Sequence, residues 1–179
     1  MLLAEQEEQT SRSRTASVAE GIPSLRRDPD TPDLLVFPPI LLGGTMLLGA
    51  LLDWLHPVPL LPPVPAWVSG AALFVLSATF GVTAQKALNR AGTNIRPDQP
   101  TVALLTDGPY RRTRNPLDLA GLGVYLGVGC FINGLAPFLL FVPLVALLHR
   151  GIVLREERYL AAKFGEPYRV YLTQVRCWL

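Results

Sequence analysis

The chain has 179 residues, half of them hydrophobic and 17% charged, where an ordinary soluble domain carries about 25% charged residues. Its mean hydropathy is +0.32. The 51 residues from Leu34 to Ala84 hold one charge, Asp53, and the 33 from Leu117 to His149 hold one more, Asp118. Apolar runs of that length exclude a water-soluble globule. Two cysteines exclude a disulfide scaffold, and proline and glycine scattered without a period exclude a collagen-like chain. The composition predicts an all-α, polytopic membrane helix bundle.

Residues 1–33 read as a disordered polar tail, with four Arg against seven Asp and Glu and no sustained apolar run. The opening MLLAEQEEQT has neither a basic n-region nor an apolar stretch of secretory length, so no signal peptide is expected. Residues 34–179 form the expected membrane domain. A hydrocarbon core of about 30 Å asks for about 20 helical residues per crossing. The first span is placed at 34–55, with Pro38-Pro39 in its first turn, where missing N–H groups cost little. The second is placed at 66–84, entered through the turn HPVPLLPPVP. The third, 116–131, is short and glycine-rich, covering about 24 Å. Its Gly123 and Gly127 make a GxxxG, read first as a close helix contact. The fourth, 135–154, follows a turn at Ile132-Asn133-Gly134, so the last two spans are expected to form a tight helical hairpin. Helical segments at 155–179 complete the domain.

Basic residues orient this bundle. Lys86, Arg90, Arg96, Arg111, Arg112 and Arg114 lie around the loop 85–115, and Arg150, Arg155, Arg158, Lys163, Arg169 and Arg176 lie at or after the end of the fourth span. These are 12 of the 16 Lys and Arg, while the connections 56–65 and 132–134 have none. Four spans with both termini and the long loop on the cytoplasmic side satisfy the positive-inside rule. A cell inner membrane is the expected location.

Two polar stretches stand out against this background. The loop AGTNIRPDQPTVALLTDGPYRRTRNP is longer than a topological connector needs. Its arginines are interleaved with Gly, Pro, Tyr110 and Asn115, which suits an anion-binding pocket. Anionic lipid headgroups are the alternative partner for that charge. The second stretch is Arg155-Glu156-Glu157-Arg158. Exposed helical glutamates usually find a Lys or Arg three or four residues away. Glu156 instead has Ile152, Val153, Tyr159 and Leu160 at those offsets, and Glu157 has Val153, Leu154, Leu160 and Ala161. Both flank an apolar stripe and need partners from elsewhere, such as Arg111, Arg112 or Arg114, or a ligand's hydroxyl, amine or sulfonium. His56 and His149 fall on opposite expected sides of the membrane, so no metal site is expected. The loop lacks the stacking platforms that nucleic acid would use.

At these two stretches the sequence resembles the isoprenylcysteine carboxyl methyltransferase and phospholipid methyltransferase superfamily of membrane enzymes. Residues 105–116, LTDGPYRRTRNP, are similar to the family's GPYRxxR(N/H)P. Residues 156–171 are similar to its EExxLxxxFGxxYxxY, carried here by Glu156, Glu157, Leu160, Phe164, Gly165, Tyr168 and Tyr171. The resemblance covers roughly residues 85–178. It implies a cytoplasm-facing pocket for S-adenosyl-L-methionine beside a lipid-facing entry for a lipophilic acceptor. It also implies that Tyr110, Arg111, Arg114, Asn115, Pro116, Glu156, Glu157 and Tyr168 hold the cofactor, with Arg114 and Glu157 in the catalytic role. Leu117-Asp118-Leu119-Ala120 departs from the family's Met-Tyr-Leu-Gly-like run, and Val102 stands where isoprenylcysteine enzymes have a histidine. The resemblance therefore implies methyl transfer to a lipophilic acceptor, with a phospholipid amine or a small thiol as the alternative. A non-catalytic, lipid-binding bundle is the reading from another class.

Overall fold

The computed structural model describes residues 37–92 and 104–178. The expected tail at 1–33, and Arg96 and Val102 of the loop, lie outside the described residues. Helix α1 spans Pro38–Leu55 and α2 spans Pro63–Arg90. A single 3-10 turn at Gly108–Arg111 precedes α3, Pro116–Ile132. Helix α4, Leu135–Leu148, passes through a π-turn at His149–Val153 into α5, Leu154–Phe164, and α6 follows at Glu166–Gln174. No strand forms among the described residues.

The helix ends follow local chemistry. Helices α1, α2 and α3 each begin with proline at their first positions, where the missing N–H has no intrahelical acceptor to lose. Helix α2 runs six residues beyond the expected 84, to about 42 Å in length. The added turns hold Lys86 and Arg90, whose aliphatic stems let the charges reach water and whose positive ends suit a helix C-terminus. Gly92, at φ 64°, then stops the helix in the left-handed region. The loop consequently opens after Arg90 rather than at 85.

Three helices, Pro38–Leu55, Pro63–Arg90 and the continuous Leu135–Phe164, are long and apolar enough to cross a membrane, and α3 is a shorter apolar helix beside them. Leu47, Trp54, Val64, Trp67, Leu76 and Val142 are largely exposed, as side chains facing lipid would be. The protein is an integral membrane helix bundle.

Packing departs from the expected tight hairpin. The turn at 133–134 is short, with Asn133 left-handed at φ 57°, but its two arms make their main contacts with other helices. Helix α3 lies chiefly along α2, and α4 along α1. The reason is the small-residue seam on α3. A Cβ on Gly127 would sit 2.9 Å from Phe74 N and 3.0 Å from Gly70 O, both backbone atoms of α2. Gly123 lies against Ser77, and a Cβ on Gly81 would meet Ala120 at 3.1 Å. The GxxxG is therefore a helix contact, as expected, and it draws α3 to α2. Helix α1 meets α4 in the same way, at Gly49 against Pro137. The other side of α3 supplies Leu122 and Tyr125 to a core with Leu144, Leu148, Ile152 and Val153. The Tyr125 hydroxyl donates to the carbonyl of Pro137 at 3.0 Å, in the first turn of α4.

At the far end of the bundle, the α1–α2 connection is fastened to the α3–α4 turn. Asn133 Nδ2 donates to Leu61 O at 2.8 Å, and Leu61 N donates to Asn133 Oδ1 at 3.0 Å. Leu135 N donates to Val58 O at 3.1 Å. These bonds satisfy backbone groups where the chain reverses twice.

Candidate functional site

The opposite end gathers the two polar stretches. The 3-10 turn carries Tyr110 inward and leaves Arg111 and Arg112 exposed. Thr113, the one buried polar or charged residue among the described residues, donates its hydroxyl to Cys177 O at 3.0 Å. The same hydroxyl accepts the Asn115 N–H at 3.3 Å. Asn115 Nδ2 also donates to Cys177 O at 3.1 Å, and Arg114 N donates to Arg176 O at 3.0 Å. The segment after α6 thus straps the stretch 113–115 in place. Trp178 packs on the core, its ring 6.1 Å from that of His149.

This clamp presents Arg114 to α5. Its Nη2 lies 3.2 Å from Glu157 Oε1, and the two side chains are 14% and 18% exposed. An ion pair this enclosed is costly to strand by removing one partner. Arg114 Nε is shut away from water with no hydrogen-bond partner among the described residues, and Glu157 Oε1, equally enclosed, has only its ion-pair contact with Arg114 Nη2. A guanidinium N–H and a carboxylate oxygen left so are open to a ligand that offers an acceptor and a donor.

The tyrosines close the site from below. Tyr168 is 2% exposed. Burial, with Glu157 beside it, pushes its hydroxyl well above the ordinary tyrosine range, partly offset by Arg114. The Tyr171 hydroxyl donates to Tyr110 O at 2.7 Å, tying α6 to the 3-10 turn. Burial raises Tyr171 to about 12. Burial also raises Tyr110, helped by the negative charge of Glu156 and by Tyr171 and Asp118. All three therefore remain neutral hydroxyls throughout the physiological range. Burial and the neighbouring Glu157 likewise raise the Cys177 thiol, which lies 3.5 Å from Asn115 Nδ2 and 4.0 Å from His149 Nδ1.

The structure brings together Tyr110, Arg114, Asn115, Glu156, Glu157 and Tyr168 of the expected set. It places Pro116 in full burial as the first residue of α3, and it leaves Arg111 on the surface. Arg114 alone of the three expected arginines pairs with a glutamate among the described residues. Thr113, Tyr171 and Cys177 complete the site without having been singled out. Tyr171 was visible as the last aromatic of the second motif. Thr113 and Cys177 had no sequence signal, because their roles rest on a backbone carbonyl 64 residues away. Among the described residues, no group of three His, Cys, Asp or Glu is spaced to hold a metal.

The sequence pattern of the phospholipid methyltransferase family matches residues 66–167, which contain most of α2, all of α3 to α5 and both polar stretches. The chain belongs to that family. Phospholipid methyltransferase membership accounts for the pairing of a membrane bundle with a polar site at one end. Over 63 residues the chain is 35% identical to the cobalt-zinc-cadmium resistance protein CzcN of Cupriavidus metallidurans. That stretch covers 35% of this chain and 29% of the other protein. No solved structure matches the chain.

Proposed function

We propose that the chain is an integral-membrane, S-adenosyl-L-methionine-dependent methyltransferase acting on a lipophilic acceptor. Its pocket lies among Tyr110, Arg114, Asn115, Glu156, Glu157 and Tyr168. The observation that carries this reading is the enclosed Arg114–Glu157 ion pair, with Arg114 Nε left without a hydrogen-bond partner among the described residues, at the junction of the two family motifs. The family's description supports a lipid acceptor.

The residues present suit the cofactor's chemistry. Arg114 Nε is a donor for a carboxylate, and Glu157 Oε1 is an acceptor for an ammonium or a hydroxyl. Glu156, with Asp118 and Glu157 as its neighbours, adds a further carboxyl that can exchange hydrogen bonds with a ligand's amine or hydroxyl. When bound, the cofactor supplies an electrophilic methyl on a sulfonium. The chain's own part is to orient the partners and exclude water. The strap 176–178 holds Arg114 and Asn115, while Tyr110 and Tyr168 offer ring faces and neutral hydroxyls. In this reading the site faces the cytoplasm of a cell inner membrane, as the positive-inside count requires.

The test is isothermal titration of the purified protein in micelles with S-adenosylhomocysteine. Saturable binding at micromolar to low millimolar ligand is the expected result. Heat no greater than the dilution blank at millimolar ligand overturns the reading.

A further inference from the structure

The helix that carries both glutamates is not a uniform α-helix. The π-turn at His149–Val153 sits between the core residue Leu148 and the site residue Glu157. Successive residues of an α-helix are rotated by about 100° about its axis, and a π-turn accommodates one extra residue without advancing that rotation. In an unbroken α-helix, Glu157 would lie about 180° from Leu148, on the opposite side of the helix. With one residue absorbed, it lies about 80° away, and Glu156 about 20° away. Arg155 would take the inward position in the unbroken helix, at about 20° from Leu148, but is turned about 120° from it instead.

Burial and contacts agree with the shifted register. Leu144, Leu148, Ile152 and Val153 are each 1% exposed or less, and the four-residue steps from Leu144 through Leu148 and Ile152 lead on to Glu156 and Leu160. Four such steps drift by about 160° in an α-helix, so that spacing keeps one face only across a π-turn. The Arg114–Glu157 contact of 3.2 Å is the outcome.

We infer that the π-turn at 149–153 is the positioning device of the site: one extra residue in the helix turns Glu156 and Glu157 inward and Arg155 away. The device acts through the glutamates and touches no ligand itself. Its value for cofactor binding rests on the function proposed above, whereas the register does not.

The experiment removes Arg150, whose side chain is exposed, so that the deletion takes away backbone length and little packing. In a Cys130→Ala, Cys177→Ser background, Glu157→Cys and Arg155→Cys are each labelled with a water-soluble maleimide in micelles. Deleting Arg150 should raise the labelling rate at 157 at least tenfold and lower it at 155 at least threefold. General loosening raises both and cannot produce opposite shifts. A second variant lacks Arg150 but gains one alanine after Val153. It should return both rates to within twofold of the parent, including where the deletion alone loosens the segment and raises both. Unchanged rates after the deletion, or failure of the alanine to restore them, overturns the inference. The deletion should also weaken S-adenosylhomocysteine binding at least tenfold. Opposite labelling shifts in a protein whose parent binds no S-adenosylhomocysteine would uphold the register and sink the methyltransferase reading alone.

Discussion

Replacing Gly127 by alanine should separate α2 from α3, because the added methyl has no side chain to displace. Its nearest atoms would be Phe74 N at 2.9 Å, Gly70 O at 3.0 Å and Phe74 Cα at 3.1 Å, all backbone. Ordinary contact begins near 3.4 Å, so the two helices must part by roughly half an ångström. A gap of that size forfeits about a quarter or more of each contact's attraction along the seam. Overpacking of this kind costs about 1–3 kcal/mol. Gly129→Ala is the internal control: its methyl would meet Pro137 and Phe138 side chains at 3.5–3.6 Å, ordinary contact. That variant should be neutral or gain up to about 1 kcal/mol from helix propensity. Gly121→Ala meets only the flexible tip of Leu42 at 2.8 Å and should fall between them. Reversible unfolding in mixed micelles measures all three. The fluorescence of Trp67, whose ring lies tilted at 5.1 Å from that of Phe131 beside Gly70, reports the seam directly. Equal stability of Gly127→Ala and Gly129→Ala, within about 0.5 kcal/mol, would refute the backbone-contact argument.

Arg114→Ala should reduce S-adenosylhomocysteine binding at least tenfold in titration and lower stability by about 3 kcal/mol, the low end for stranding one partner of an enclosed ion pair. Arg114→Lys should not restore binding, since an ammonium cannot replace the guanidinium Nε. At the far end, Asn133→Ala loses both bonds to Leu61 and keeps a Cβ at φ 57°. Asn133→Gly loses the same bonds but also sheds the Cβ that the left-handed backbone penalises, so thermal melts should find it more stable than the alanine variant by about 1 kcal/mol. The raised Cys177 thiol should alkylate severalfold more slowly in the folded protein at pH 8 than after unfolding, as mass spectrometry after timed iodoacetamide exposure would show. The sign follows from the shift: a raised thiol holds less reactive thiolate at any pH below it.

Much of the bundle was legible because membrane helices obey one-dimensional rules. A run from Leu34 to Ala84 with a single charge has no stable option but apolar helices satisfying their own backbone. Pro38-Pro39 mark the start of α1, whereas Pro63, expected in the turn before 66, opens α2 three residues earlier. The end of α2 was less legible, since Lys86 and Arg90 belong equally to a loop or to a helix rising out of the hydrocarbon. The main packing partners of α3 and α4 were illegible for a different reason. A short turn at 133–134 constrains where two helices meet, while small residues at 123 and 127 decide which neighbour they follow.

The site divides along the same line. The sequence by itself determined that Glu156 and Glu157 lack helical partners and that arginines cluster before Asn115, because offsets of three and four residues are properties of any helix. Tertiary structure alone decided that Arg114, and not Arg111 or Arg112, reaches Glu157. Three consecutive choices of side depend on the 3-10 turn at Gly108–Arg111, the strap on Cys177 O, and one extra residue in the π-turn. Each rotates a side chain by a fraction of a turn, and no local pattern encodes that rotation. The charge segregation of the chain follows from the solvent around each segment, but the pairing of those charges follows from how the segments pack.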